Sequence, residues 1–121
     1  MKILWHSNSP HAPTGYGSQT ALFAPRIRDA GHDVAISAFW GVGGSRITWE
    51  GMTVYPGDRD YGNDWLPMLA ADHGNGDPSS VQVITLMDVW VLHNKHLREM
   101  NMASWCPIDH MPVPPNVLRY F

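Results

Sequence analysis

Apolar residues arrive along this chain in short blocks separated by turn-forming clusters, and the period of each block predicts its element. Lys2 to His6 is a short apolar run that ends in the turn cluster Ser7-Asn8-Ser9-Pro10. A loop with further Pro and Gly residues leads to Ser18, where the pattern turns helical. Thr20, Phe23, Ile27 and Ala30 recur at spacings of three and four, and Gly31 stands where a left-handed cap ends the helix. Pro25 removes the hydrogen bond to Ala21, which predicts a kink or a later helix start. Asp33 to Phe39 reads as a second buried strand, broken by Gly41-Val42-Gly43-Gly44. Ile47–Trp49 and Met52–Tyr55 flank Glu50-Gly51, the pattern of a small hairpin or two short strands.

The second half continues the alternation. Asn63 or Asp64 can cap a helix that carries Pro67 in its first turn and ends near Gly74. Val81 to Met87 is the continuous apolar type of strand found inside parallel sheets. Asp88 then caps a predicted helix through Val89, Leu92, Leu97 and Met100. Ala103 to Ile108 is a fifth strand candidate, weakened by Pro107, which cannot donate in a sheet interior. Strands alternating with helices predict an α/β fold, a Rossmann-like parallel sheet with helices on both faces. Pro114-Pro115 opens a last helix in which Val117, Leu118, Tyr120 and Phe121 start an apolar pattern. That segment either docks on the sheet or belongs to a longer protein cut mid-helix, and the latter is the expectation.

A chain of 121 residues suits one domain. At 44% hydrophobic and 16% charged residues, it reads as globular rather than disordered. The net charge of −3 gives no footprint for nucleic acid or an anionic membrane, and the eight basic residues are scattered. The lone Cys106 forms no intrachain disulfide, and no apolar run is long enough for a transmembrane span. A cytoplasmic protein is the expectation.

Chemistry concentrates after the first strand, in Thr14-Gly15-Tyr16-Gly17-Ser18-Gln19-Thr20. Glycines let a backbone approach a ligand, and a helix N-terminus offers amides and a positive dipole end. A tight strand-to-helix turn explains the same residues. A dinucleotide fingerprint needs a third glycine where Thr20 stands and a carboxylate where the chain reads Ala38-Phe39-Trp40-Gly41, so NAD is disfavoured. No Gly-Lys-Ser/Thr is present, which excludes a P-loop.

Other constellations are weaker. His93 and His96 fall three apart on the predicted helix, but two ligands do not make a metal site. Cys106 and His110 invite a nucleophile and base, although a lone thiol on a strand is more often an apolar filler. His6 and His11 flank the first loop, either facing a cleft or serving as structural histidines. Asp58-Arg59-Asp60 reads as a solvated turn. Of the six tryptophans, Trp5, Trp90 and Trp105 are assigned to core packing, and Trp40 and Trp49 to a surface at the strand ends.

The stretches Lys2-Ile3-Leu4-Trp5, Thr14 to Thr20 and Gly31-His32-Asp33-Val34 resemble the opening of family 4 glycosyltransferases, retaining enzymes of the GT-B fold. Trp49 to Pro56, Asp88-Val89-Trp90 and Pro107 to Pro112 look like bacterial and phage members of that group. The resemblance implies that residues 1–121 are a single partial N-terminal, acceptor-side domain of a two-lobed enzyme. Such an enzyme transfers sugar from a nucleotide-sugar donor, with no metal or other cofactor, to an acceptor the sequence does not identify. It implies that Thr14, Gly15, Tyr16, Gly17, Ser18 and Gln19, with the amides of Tyr16 and Ser18, face donor phosphates and acceptor. Asp109 or His110 would lie near the transferred sugar, as catalytic candidates, and His11, Trp40 and Asp88 on the acceptor side. Without a donor lobe the chain is expected to bind little donor, to transfer nothing and to self-associate. The alternative is a non-catalytic interaction or regulatory module, or the remnant of a truncated reading frame.

Overall fold

The computed structural model describes residues 1–120 and has α/β architecture. Its strands are β1 (Lys2–Asn8), β2 (Asp33–Trp40), β3 (Ile47–Trp49), β4 (Met52–Tyr55), β5 (Val81–Leu86) and β6 (Asn101–Trp105). Its α-helices are α1 (Gly15–Asp29), α2 (Leu66–His73) and the single turn α3 (Pro115–Leu118). One six-stranded sheet has the order β3-β4-β2-β1-β5-β6, parallel except for β3. With β3 set aside, the parallel strands follow the third-second-first-fourth-fifth order of a Rossmann-like half.

The strand period of two divides the core. Ile3, Trp5, Val34 and Ile36 point to one face, where Ala24, Phe23 and Ile27 of α1 cover them. Leu4, Ala35, Val81 and Val83 point to the other, under Leu66 and Ala70 of α2. Both faces are therefore helix-covered, which is why β1 reads as one apolar run. Each fully buried aliphatic side chain such as Leu4 or Ile36 contributes about 1.5–3 kcal/mol of transfer free energy.

Several local expectations hold. Glu50 and Gly51 adopt φ of 46° and 77°, the left-handed pair that a two-residue hairpin requires, and they join β3 to β4. Gly31, at φ 99°, stands just past the end of α1.

Others need correction. Helix α1 begins at Gly15, capped by Thr14, so Gly15 to Gln19 form its first turns and not a loop. Pro25 sits inside α1, which continues through it. Ala21 and Pro25 both lie on a partly exposed stretch of the helix, where a carbonyl left without its amide costs less than in the core. The strand predicted over Ala103–Ile108 lies at Asn101–Trp105, before Pro107. Helix α2 carries no side-chain cap from Asn63 or Asp64.

The helix predicted after Asp88 is absent. Two 3₁₀ turns, Val89–Val91 and Lys95–Glu99, take its place, and Asp88 caps neither with its side chain. The cause is non-local. Asn63 Oδ1 accepts from the amides of His93 (2.8 Å) and Asn94 (3.1 Å), which a helix would have spent on its own carbonyls. His93 and His96 thus share no helix face, and His93 pairs with Asp60 instead (2.9 Å).

The apolar C-terminal pattern has a partner: Val117 is buried, and α3 packs on the Val89–Val91 turn. Phe121 lies outside the described residues. No helix among them is long and apolar enough to cross a membrane.

Candidate functional site

In a sheet of this order the crossovers from β1 and β5 leave in opposite directions, and ligands collect beyond the carboxyl ends of the strands where this happens. A cleft of about 410 Å³ occupies that place. Asn8 reaches it from the end of β1, Phe39 and Trp40 from the end of β2, and Met87 and Asp88 from just past β5. Tyr16 enters from the first turn of α1, and Asp60, Tyr61 and Val91 close the remaining wall. Four aromatic rings and two carboxylates line it, and no lysine or arginine does among the described residues.

The wall at Asp60 and Tyr61 is backbone held in an unfavourable conformation. Asp60, Tyr61 and Gly62 have φ of 54°, 54° and 76° in succession. The two non-glycine residues each cost about 1–2 kcal/mol in this left-handed region. Two buried side chains hold the turn: His6 meets the Tyr61 carbonyl through Nε2 (2.9 Å), and Asn63 Nδ2 donates to the Asp60 carbonyl (2.7 Å). A side chain on Gly62 would come within 3.1 Å of His6 Cε1, so glycine fits there on two counts. The result aims the Tyr61 ring at Phe39, edge to face with centroids 5.7 Å apart, and places Asp60 at the rim.

His6 is the middle of a polar row that crosses the sheet below the cleft, opposite Ser37 on β2 and Thr85 on β5. A carbonyl only accepts, so Nε2 carries the proton toward Tyr61, and Nδ1 accepts from Ser37 Oγ (2.9 Å). Burial pushes the His6 pKa down to about 4, against the smaller opposing effects of its contacts to Tyr61 and Ser37. An unfolded histidine titrates near 6.5. Between these values the unfolded chain binds the extra proton, so stability is full above pH 6.5 and falls as pH drops toward 4. The loss from this residue is about 3 kcal/mol. Urea unfolding from pH 7 to pH 4 should show this slope in the native chain and a clearly shallower one in His6→Gln.

The predicted site residues divide. Tyr16, Trp40 and Asp88 meet in this cleft. Thr14 supports it from behind: its Oγ1 accepts from Asn8 Nδ2 (2.8 Å) and from the Gly17 amide (3.0 Å). The Ser18 amide donates to the Thr14 carbonyl (2.9 Å) and is not free for a ligand. Gly17 is buried, and an added Cβ would stand 2.2 Å from the Ala12 carbonyl oxygen, whereas one on Gly15 meets nothing. Gly17 is thus a packing requirement and Gly15 is not. Ser18, Gln19 and His11 are not in the lining of this cleft, and exposed His11 lies edge-on to Trp49 (6.2 Å).

Asp109 and His110 lie on a second cleft, with His110 Nδ1 against the Asp109 carboxylate. His110 makes no bond to Cys106, whose Sγ faces the Pro107 carbonyl at 3.8 Å. The two clefts adjoin across the Val89–Val91 turn. Burial first, and then the charges of Asp88, Cys106 and Asp109, push the Tyr16 phenol above its usual pKa. Of the tryptophans assigned to the core, Trp5 is buried and donates to Thr20 Oγ1 (3.0 Å), but Trp90 and Trp105 are nearly half exposed.

Sequence reasoning missed Asn8, Phe39, Met87, Val91 and above all Asp60 and Tyr61. Nothing in a Gly-rich turn announces two non-glycine residues at positive φ. Searched against protein families, characterised proteins and solved structures, the chain matches none of them.

Proposed function

We propose that this chain is the acceptor-side lobe of a retaining GT-B glycosyltransferase that takes sugar from a nucleotide-sugar donor, and that the cleft at the strand ends holds the acceptor. The observation that carries the reading is the lining of that cleft. Aromatic faces pack on the apolar faces of sugar rings, and carboxylates accept hydrogen bonds from hydroxyls. Tyr16, Phe39, Trp40 and Tyr61 supply the first, Asp60 and Asp88 the second. The same carboxylates would repel a phosphate, so the acidic cleft suits the acceptor and not the donor diphosphate. Support also comes from the order of the parallel strands and from the motif resemblance along the chain.

The reading is tested by titrating the chain with neutral mono- and disaccharides. Trp40→Ala and Asp88→Asn should each weaken saccharide binding by about tenfold while the far-UV spectrum stays unchanged. Binding indifferent to both substitutions would remove the cleft from the account.

A second reading, a non-catalytic module that docks a partner or itself, draws on apolar surface beside edge strand β6. Trp105 and Ile108 are exposed there, and Met111 is 98% exposed. Concentration-dependent association without saccharide binding would favour it.

A further inference from the structure

The second cleft gathers groups that the linear sequence scatters. It lies between the Val89–Val91 turn, Arg98 of the next turn, the residues after β6 and the C-terminal segment, and it encloses about 710 Å³. That volume is within the roughly 300–1,000 Å³ of small-molecule sites. Arg98 and Arg119 line it, two of only eight basic residues in a chain of net charge −3. The one carboxylate in the lining, Asp109, is engaged by His110. Trp90 and Tyr120 present half-exposed rings, joined where Tyr120 Oη donates to the Trp90 carbonyl (3.4 Å). Buried Val117 anchors the segment that carries Arg119 and Tyr120. The neighbouring cleft is lined by Asp88 and by Asp60, which His93 engages in turn, and by no basic group.

Guanidinium groups match phosphate oxygens in geometry and stay charged at every physiological pH. An exposed tryptophan or tyrosine face stacks on a planar base. A free anion would need only the arginines, and an apolar ligand only the rings. We propose that this cleft binds a nucleotide, with Arg98 and Arg119 on the phosphates and the base against Trp90 or Tyr120. The assignment rests on the charge and rings of this cleft alone and does not depend on the sugar-transfer reading.

Calorimetric titration of the full chain at low salt with uridine and adenosine diphosphates tests it. Saturable submillimolar binding is expected for at least one of the two. Arg98→Gln and Arg119→Gln should each weaken it about tenfold, and higher salt should weaken it further. Trp90→Leu with Tyr120→Leu should weaken it about fivefold or more, and the free nucleosides and inorganic pyrophosphate should each bind at least about tenfold more weakly than the nucleotide. Both arginines are exposed, so their variants keep the native melting curve, which circular dichroism verifies. No saturable nucleotide binding, equal binding by the double arginine variant, or pyrophosphate binding as tightly as the nucleotide would each overturn the assignment. Saccharide binding at the first cleft should survive the arginine substitutions, which separates failure here from failure of the acceptor reading.

Discussion

Asn63→Asp should lower the unfolding free energy by about 3–5 kcal/mol, the largest effect expected of any single isosteric change in this chain. Asn63 is fully buried, and its amide uses all of its hydrogen-bonding capacity. Nδ2 donates to the carbonyls of Asp60 and Val91, both at 2.7 Å, and Oδ1 accepts from the amides of His93 and Asn94. An aspartate presents an acceptor where two carbonyls need donors. Ionised, it is a buried charge with no cation; protonated, it serves one carbonyl and strands the other. The left-handed turn and the Val89–Val91 turn both hang on this residue, so the substitution should also abolish saccharide binding at the first cleft. Urea denaturation measures the loss, and a change below about 1 kcal/mol would mean that Asn63 does not clamp these segments.

Gly17→Ala should cost about 2–4 kcal/mol, whereas Gly15→Ala should stay within about 0.5 kcal/mol of the native chain. The added methyl at position 17 meets the backbone oxygens of Ala12 and Ser9 at 2.2 and 2.9 Å, and neither can swing aside as a side chain would. Helix α1 would have to lift from the Ser9–Ala12 segment that seats it. At position 15 the methyl stands in open space at a helical residue, where alanine is the better former. Thermal melts of the two variants decide the matter, and equal destabilisation would refute this division of roles. The pair of glycines looks alike in sequence, but packing explains only one of them.

This difference shows where reading the sequence succeeds. Residues whose roles are local were legible. Thr20, Phe23 and Ile27 announce the buried face of α1 by spacing, Gly31 announces its end, and Glu50-Gly51 announces the hairpin. The largely apolar run of β5, Val81, Val83, Ile84 and Leu86, announces a strand covered on both faces, and with it the parallel sheet. That Tyr16, Trp40 and Asp88 share one cleft was legible because strand ends in such a sheet face one edge.

Roles set by distant partners were not legible. Asn63 carries a turn signal and reads as a cap, but its hydrogen bonds reach residues 28 and 31 positions away. Those bonds replace the helix that Val89, Leu92, Leu97 and Met100 predict. Asp60 sits in a stretch that reads as a solvated turn, and only His6 from β1 and Asn63 make its left-handed conformation tenable. Arg98 and Arg119 are isolated in sequence and share a cleft only because Val117 docks the C-terminal segment beside Trp90.

The central claim is that the cleft ringed by Tyr16, Trp40, Tyr61 and Asp88 receives the sugar acceptor. Mapping amide chemical shifts by nuclear magnetic resonance during a titration with neutral saccharides tests it most directly. Saturable shifts should centre on Asn8, Tyr16, Trp40, Tyr61 and Asp88, and vanish in Trp40→Ala. Shifts confined to other surfaces, or none up to the solubility limit of the saccharides, would contradict the account.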